Sequence, residues 1–327
     1  MCCLSKTLLL LSERADDKAF ADEICKLSEL KIQVVRRAPE AIKLMQEASP
    51  QVILVDASTQ DLYSTFEGAV SNSLGLFSEK VHPNSIHFLL DSTMSEASFI
   101  VQSPLLGSFV KRSSSDPAGA GNHYGRIIRA GLKAKSFGLK DIYLEEAKVQ
   151  RIEMSQISQK SKVLEAVKAY LLAAKWSMRP TSRILTSVDE LLMNAFYDAP
   201  QASFASSSNA TTPALDLKDL EQKGSVLIDL AFDGKYFGIA VTDFYGSLDK
   251  AKLMNYISKG FSKSEYKVKT TTFNAGIGLS TVHQTGGSLL FLCEASVKTE
   301  AILFFQKSDK FKDFRNQFRF ISTQFYF

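Results

Sequence analysis

Five short apolar runs recur through the first 135 residues: Thr7–Leu11, Ile32–Val35, Val52–Val55, Ile86–Leu90 and Ser108–Val110, each followed by a polar turn. Runs of this length suit strands, and their punctuation by turn residues separates them from buried helices. Between the first two, Asp16 to Leu30 spaces Phe20, Ile24 and Leu27 at helical intervals, which makes one apolar stripe to lay against a sheet. Pro39 followed by Glu40 opens a second helix running through Ile42 to Ala48, because proline is tolerated in a first turn. A chain that alternates strand and helix in this way has few options. The expectation is a doubly wound α/β fold on a five-stranded parallel sheet.

The stretch KRSSSDPAGAGNH, Lys111 to His123, reads as a turn-rich loop before a helix from about Tyr124 to Lys135, and Gly138 then punctuates the chain. This places a first domain at 1–138, a linker at 139–149, a second domain at 150–307 and a basic aromatic tail at 308–327. From Arg151 the pattern changes to one strand and a helical run from Lys160 to Met178, after which Pro180 is expected to break the chain before a second helix, Ser182 to Tyr197. Gln201 to Pro213, rich in Ser, Ala, Thr and Asn, has little to bury and reads as a mobile insert. Strands return at Ser225–Phe232 and Tyr236–Thr242, joined by a hairpin turn at Asp233-Gly234, then at Ser288–Cys293 and Ala301–Phe305. The second half is therefore expected to be an α/β sandwich with a mixed sheet. The tail from Lys310 carries seven aromatics among its basic residues, and packing on the body is the better expectation than contact with a partner.

Composition removes several classes. With 327 residues, 45% hydrophobic and 23% charged, the chain suits two globular domains and not wholesale disorder. A net charge of +4 names no partner, and only the basic tail speaks for nucleic acid, which is too little to carry that class. The longest apolar runs, such as Leu8–Leu11, fall far short of the roughly 20 residues of a membrane helix. The opening MCCLSKTLLLLSERADD has no small-residue cleavage pattern and reads as the first strand. Cys2, Cys3, Cys25 and Cys293 have no spacing that suggests a metal site or a disulfide framework, so a reducing cytoplasm is the expected compartment.

Three motifs in the second half could carry chemistry. SVDELLMNAFYDAP puts Glu190 and Asn194 on one helix face, GIAVTDFYGSLD puts Asp243 at the end of an apolar strand, and FNAGIGLSTVHQTGG puts Gly276 and Gly278 just before a helical start. In this order they resemble the Bergerat-fold ATPases, the superfamily of sensor kinases, anti-sigma-factor serine kinases, gyrase-type and chaperone ATPases. The resemblance implies ATP with Mg²⁺ as the ligand. Asn194 would hold the ion, Glu190 would act as base or water-positioning carboxylate, and Asp243 would accept the adenine amino group. Gly276, Gly278 and Leu279 would line the phosphate loop, and Thr299, in VKTEAILFF, would support the adenine contact. Chemically, an amide oxygen suits a hard ion and a carboxylate one turn away can orient a nucleophile. The sequence departs from the family at Tyr245, which takes a usual glycine position, and the remaining glycine, Gly246, comes one residue early. Lys259, Lys263, Lys267 and Lys269 lie in the stretch that would form a lid.

The helices around Asn194 contain no histidine; His82, His87 and His123 lie in the first half, and His283 follows the glycine loop. A histidine autokinase is thus not expected, and the arrangement most resembles the anti-sigma-factor serine kinases. The first half resembles a response-regulator receiver domain. Asp56, ending VILVDAS, matches its phosphoacceptor, Lys111 its switch lysine, and Thr93 or Ser92 its hydroxyl. Only Glu13 stands where the family has an acidic pair, since Asp16 and Asp17 come later, in the segment that follows. Together the resemblances imply a cytoplasmic signalling protein whose receiver-like domain regulates an ATP-binding domain. Its output would be phosphotransfer to a Ser or Thr of a protein partner, or capture of that partner, with a homodimer implied by family habit. The alternative is a non-catalytic dimeric scaffold in which both domains are degenerate.

Overall fold

The structure is a computed structural model that describes residues 6–73, 81–91, 99, 105, 107–133, 137–143, 147–207, 224–249, 253, 286–315 and 317–326. The chain divides into two compact units, Met1–Lys135 with Phe318–Ser322, and Ser136–Gln317 with Thr323–Phe327.

In the first unit the apolar runs form β1 (Thr7–Leu11), β2 (Lys31–Val35), β3 (Val52–Asp56), β4 (Ile86–Leu90) and β5 (Ser108–Lys111). They pair in parallel in the order β2-β1-β3-β4-β5. Leu8, Leu9 and Leu10 are fully buried, so successive residues of β1 face apolar matter on both sides, as parallel sheets require. The helices are α1 (Ala15–Ser28), α2 (Ala38–Ala48), α3 (Gln60–Ser71) and α4 (Pro117–Lys133). A sixth segment, Phe320–Ser322, pairs antiparallel with β5, so the sheet is not the purely parallel one expected. It closes a polar patch in the core. The Ser322 and Ser108 hydroxyls meet at 2.7 Å, and His87 Nδ1 lies 2.9 Å from the Tyr124 hydroxyl.

Helix α4 begins at Pro117, seven residues before the expected Tyr124. Asp116 caps it by accepting the Gly119 N–H at 2.8 Å. Gly121, taken for a turn residue, serves packing instead, as does Gly125 one turn on. A Cβ on Gly121 would lie 2.4 Å from the Phe20 carbonyl oxygen, and one on Gly125 would lie 3.1 Å from the Ile24 Cα. Two helical backbones approach that closely only where side chains are absent.

The second unit contains α5 (Leu139–Ile142), β6 (Gln150–Met154), α6 (Lys160–Ala173), α7 (Met178–Met193), α8 (Ala199–Ser207), β7 (Val226–Phe232), β8 (Tyr236–Asp243), β9 (Ser288–Glu294), β10 (Lys298–Gln306) and α9 (Phe311–Arg315). Its strands run antiparallel in the order β9-β10-β8-β7-β6. The hairpin at Asp233-Gly234 is present, with Asp233 Oδ1 accepting the N–H groups of Lys235 and Tyr236.

Three local expectations change. Helix α6 stops at Ala173, and α7 begins at Met178, so Pro180 lies in its first turn and does not separate the helices. There a missing N–H has no partner to lose. The stretch expected as a linker holds α5, whose Leu139 and Ile142 are buried. Its first amide donates to Glu300 Oε1 at 3.0 Å, and Tyr143 beyond it donates to the Tyr236 carbonyl at 3.2 Å. The start of the expected mobile insert, 201–207, is helical, while 208–213 lies outside the described residues. The tail packs: Phe314 is fully buried and stacks on Phe305 at 5.9 Å. Among the described residues no helix is long and apolar enough to cross a membrane.

Candidate functional site

Strand β8 ends on Asp243, which stands opposite Thr299 of β10, and Thr299 stands opposite Cys293 of β9. Cross-strand partners share a face, so the carboxylate, the hydroxyl and the thiol form one row. The Asp243 Oδ1 accepts the Tyr245 N–H at 2.9 Å. Burial pushes its pKa up to about 6, against the pull of the Tyr245, Gly246 and Thr299 amides. Tyr245, the departure from the family pattern, is buried. Gly246 has φ +57°, and a Cβ there would lie 2.2 Å from the Glu294 carbonyl oxygen, while its own carbonyl accepts the Ser296 N–H at 3.1 Å. That glycine is required by the turn between β9 and β10.

The next residue ties this turn to the helical motif, since Ser247 Oγ donates to the Ala199 carbonyl at 2.9 Å. Ala199 follows a π-helical turn, Asn194–Asp198, that continues α7 into α8. Turns of this kind recur at functional sites. Glu190 and Asn194 lie one turn apart, and the Asn194 backbone N–H donates to the Glu190 carbonyl. Both are partly buried. The Glu190 carboxyl is raised by burial and then by the charges of Asp198 and Asp189. Asp198 is itself pushed up to about 6 by burial. Sequence reasoning missed Asp198, although its spacing of four from Asn194 was a signal; ending the helix at Tyr197 hid it. Asp189 is paired instead with Lys160 at 2.8 Å. Gly276, Gly278, Leu279, His283 and the four lid lysines lie outside the described residues.

In the first unit, Asp56 ends β3, Asp91 follows β4, and Asp17 sits in the first turn of α1. These three carboxylates converge on Arg112, the residue after β5. Its Nε donates to Asp17 Oδ1 at 2.6 Å and its Nη2 to Asp17 Oδ2 at 2.7 Å. The same Nη2 lies 2.7 Å from Asp56 Oδ1, and Nη1 lies 3.4 Å from Asp91 Oδ1. Ser12 Oγ donates to Asp17, and the Ser58 amide and hydroxyl donate to Asp56 Oδ1. Burial acts to raise Asp56, but Arg112 and Ser58 outweigh it and hold the carboxyl below its ordinary range.

This corrects the expected roles. Arg112, not Lys111, is the cation that Asp56 holds; the Lys111 amide pairs with the Arg319 carbonyl at 2.9 Å, and burial lowers its side-chain pKa. Glu13 is exposed, and Asp17, which seemed to come too late, is the buried acid. Thr93 and Ser92 lie outside the described residues. Among the described residues no three acidic, histidine or cysteine side chains stand close enough together to hold a metal.

A scan against models of known protein families finds no match. A search of the curated proteins finds none either.

Proposed function

We propose that the chain is a signalling protein whose second unit binds ATP with Mg²⁺ and phosphorylates, or holds, a protein partner. The observation that carries this reading is the buried Asp243–Thr299 pair, tied through Ser247 to the helix that bears Glu190, Asn194 and Asp198. A buried carboxylate with its own amide donors is a suitable acceptor for an exocyclic amine. The helix offers an amide oxygen and carboxylates, hard donors that suit Mg²⁺, and burial raises the pKa values of Glu190 and Asp198, with the charges of Asp198 and Asp189 adding to the rise at Glu190. ATP supplies the phosphoryl group. On this reading Asn194 holds the ion, Asp243 orients the base, and Glu190 takes the proton from a Ser or Thr hydroxyl of the partner, a role for which its raised pKa is favourable.

Calorimetric titration of the protein with ATP, with and without Mg²⁺, tests the reading. Binding should require Mg²⁺, fall at least about tenfold in Asn194→Ala, and be lost in Asp243→Ala. Undiminished binding in both variants would overturn it.

A second reading, a non-catalytic scaffold, is favoured by one observation. Buried Tyr245 and the turn-bound Gly246 use for packing the positions that the Bergerat-fold family gives to its nucleotide. Absence of nucleotide binding at millimolar concentration would select this reading.

A further inference from the structure

The carboxyl ends of β3 and β4 and the first turn of α1 bring Asp56, Asp91 and Asp17 to one crevice, beside the point where the strand order of the sheet reverses. Open α/β sheets take their ligands there. In this protein the crevice is already filled from within. The Arg112 side chain is only 3% exposed, it grips Asp17 with two hydrogen bonds, and it shares Nη2 with Asp56 at 2.7 Å. Asp91 completes the ring from the outside, where Arg14 Nη1 also holds it at 2.7 Å. Two cations of the chain thus answer three carboxylates.

We propose that Arg112 is the resident cation of this crevice, standing where a divalent ion would otherwise be needed, so that the first unit takes up neither Mg²⁺ nor a phosphoryl group on Asp56. A divalent ion would have to displace a bidentate guanidinium that is locked by Asp17, and with Arg112 in place the carboxylates of the described residues stand too far apart around it to be a metal cage. Phosphoryl transfer to Asp56 would need its oxygen to attack phosphorus while acetate or another group left, with a cation neutralising the transferred oxygens. Among the described residues, Arg112, the cation beside Asp56, is engaged with Asp17, and Arg14 is engaged with Asp91. On this reading the unit is not a phosphorylation switch. This inference uses the first unit alone and does not depend on the nucleotide reading.

The test uses the full chain without nucleotide. Acetyl phosphate with Mg²⁺, followed by intact-mass measurement, should leave the wild-type protein unmodified, and Mg²⁺ alone should not move the melting of its first unit. A Mg²⁺-dependent adduct that disappears in Asp56→Asn would overturn the proposal. Arg112→Ala provides the positive arm: Mg²⁺ affinity should rise at least about tenfold over wild type, seen as melting that shifts with Mg²⁺. That shift should vanish when Asp17→Asn is added and survive Asn194→Ala, which separates it from any ion held by the second unit. Should Arg112→Ala fail to fold even with Mg²⁺, the wild-type adduct measurement decides alone.

Discussion

The two units treat some of their carboxylates in opposite ways, although the second also has an arginine-paired one, Asp229 held by Arg151. In the first, Asp17, Asp56 and Asp91 surround an arginine, and Asp56 is held below its ordinary pKa. In the second, Asp198 and Asp243 are pushed up to about 6 and Glu300 to about 7, each chiefly by burial. A compensated cluster gains little from a further cation, whereas an uncompensated one gains much. On the proposed reading, the second unit is where a cation would still be gained.

The sharpest way to break this comparison is to remove the compensation. Arg112→Met should destabilise the first unit by about 3–5 kcal/mol, because it strands a buried Asp17 without its partner. Adding Asp17→Leu should recover part of the loss in chemical denaturation; equal losses in the single and double variants would mean that the pair is not coupled. In the second unit Gly246→Ala should cost about 2–3 kcal/mol, since alanine is strained at φ +57° and its methyl would meet the Glu294 carbonyl. A stable Gly246→Ala protein would remove the turn from the account of why glycine stands there.

The gentlest probe is pH. A carboxyl whose folded pKa is raised contributes stability that is complete below its unfolded pKa and is lost as pH rises through the folded value. For Asp243, from 3.8 to about 6, and Glu300, from 4.5 to about 7, that loss falls between those limits. Asp56 has the opposite sign: its contribution is present above the unfolded value of 3.8 and is lost as pH falls through its lower folded value. Calorimetry should therefore show the second unit gaining stability on mild acidification, while the first begins to lose it only in stronger acid. Glu300→Gln keeps an oxygen acceptor for the Leu139 amide and should flatten the slope of the second unit by on the order of 1 kcal/mol per pH unit. Parallel slopes for the two units would erase the contrast.

The strands were legible because each is a short apolar run closed by turn residues, and β1 to β5 and β7 to β10 fall within about three residues of the sequence reading at every end. What escaped was whatever depends on a distant neighbour. Gly121 looked like a loop residue because its reason, the backbone of α1, lies about 100 residues away in the chain. Arg112 carries no local sign that it will meet Asp17, from which it is separated by 95 residues. Pro180 was read by its commonest interior effect, when its place in a first turn made it harmless. For the site, Glu190, Asn194 and Asp243 were visible from residue type and spacing. The burial of Tyr245 and the hold of the hairpin turn on Gly246 were not, since both follow from tertiary packing.

The pairing of Ser322 with Ser108 spans 214 residues and places a sixth strand in a sheet whose other five are finished before residue 112. During synthesis on the ribosome the first unit must wait, with the β5 edge open and Phe109 and Val110 lacking their antiparallel neighbours, until the intervening chain has emerged. The part of the protein made first is thus completed last. A nascent chain halted before Phe318 would expose a strand edge able to recruit other chains.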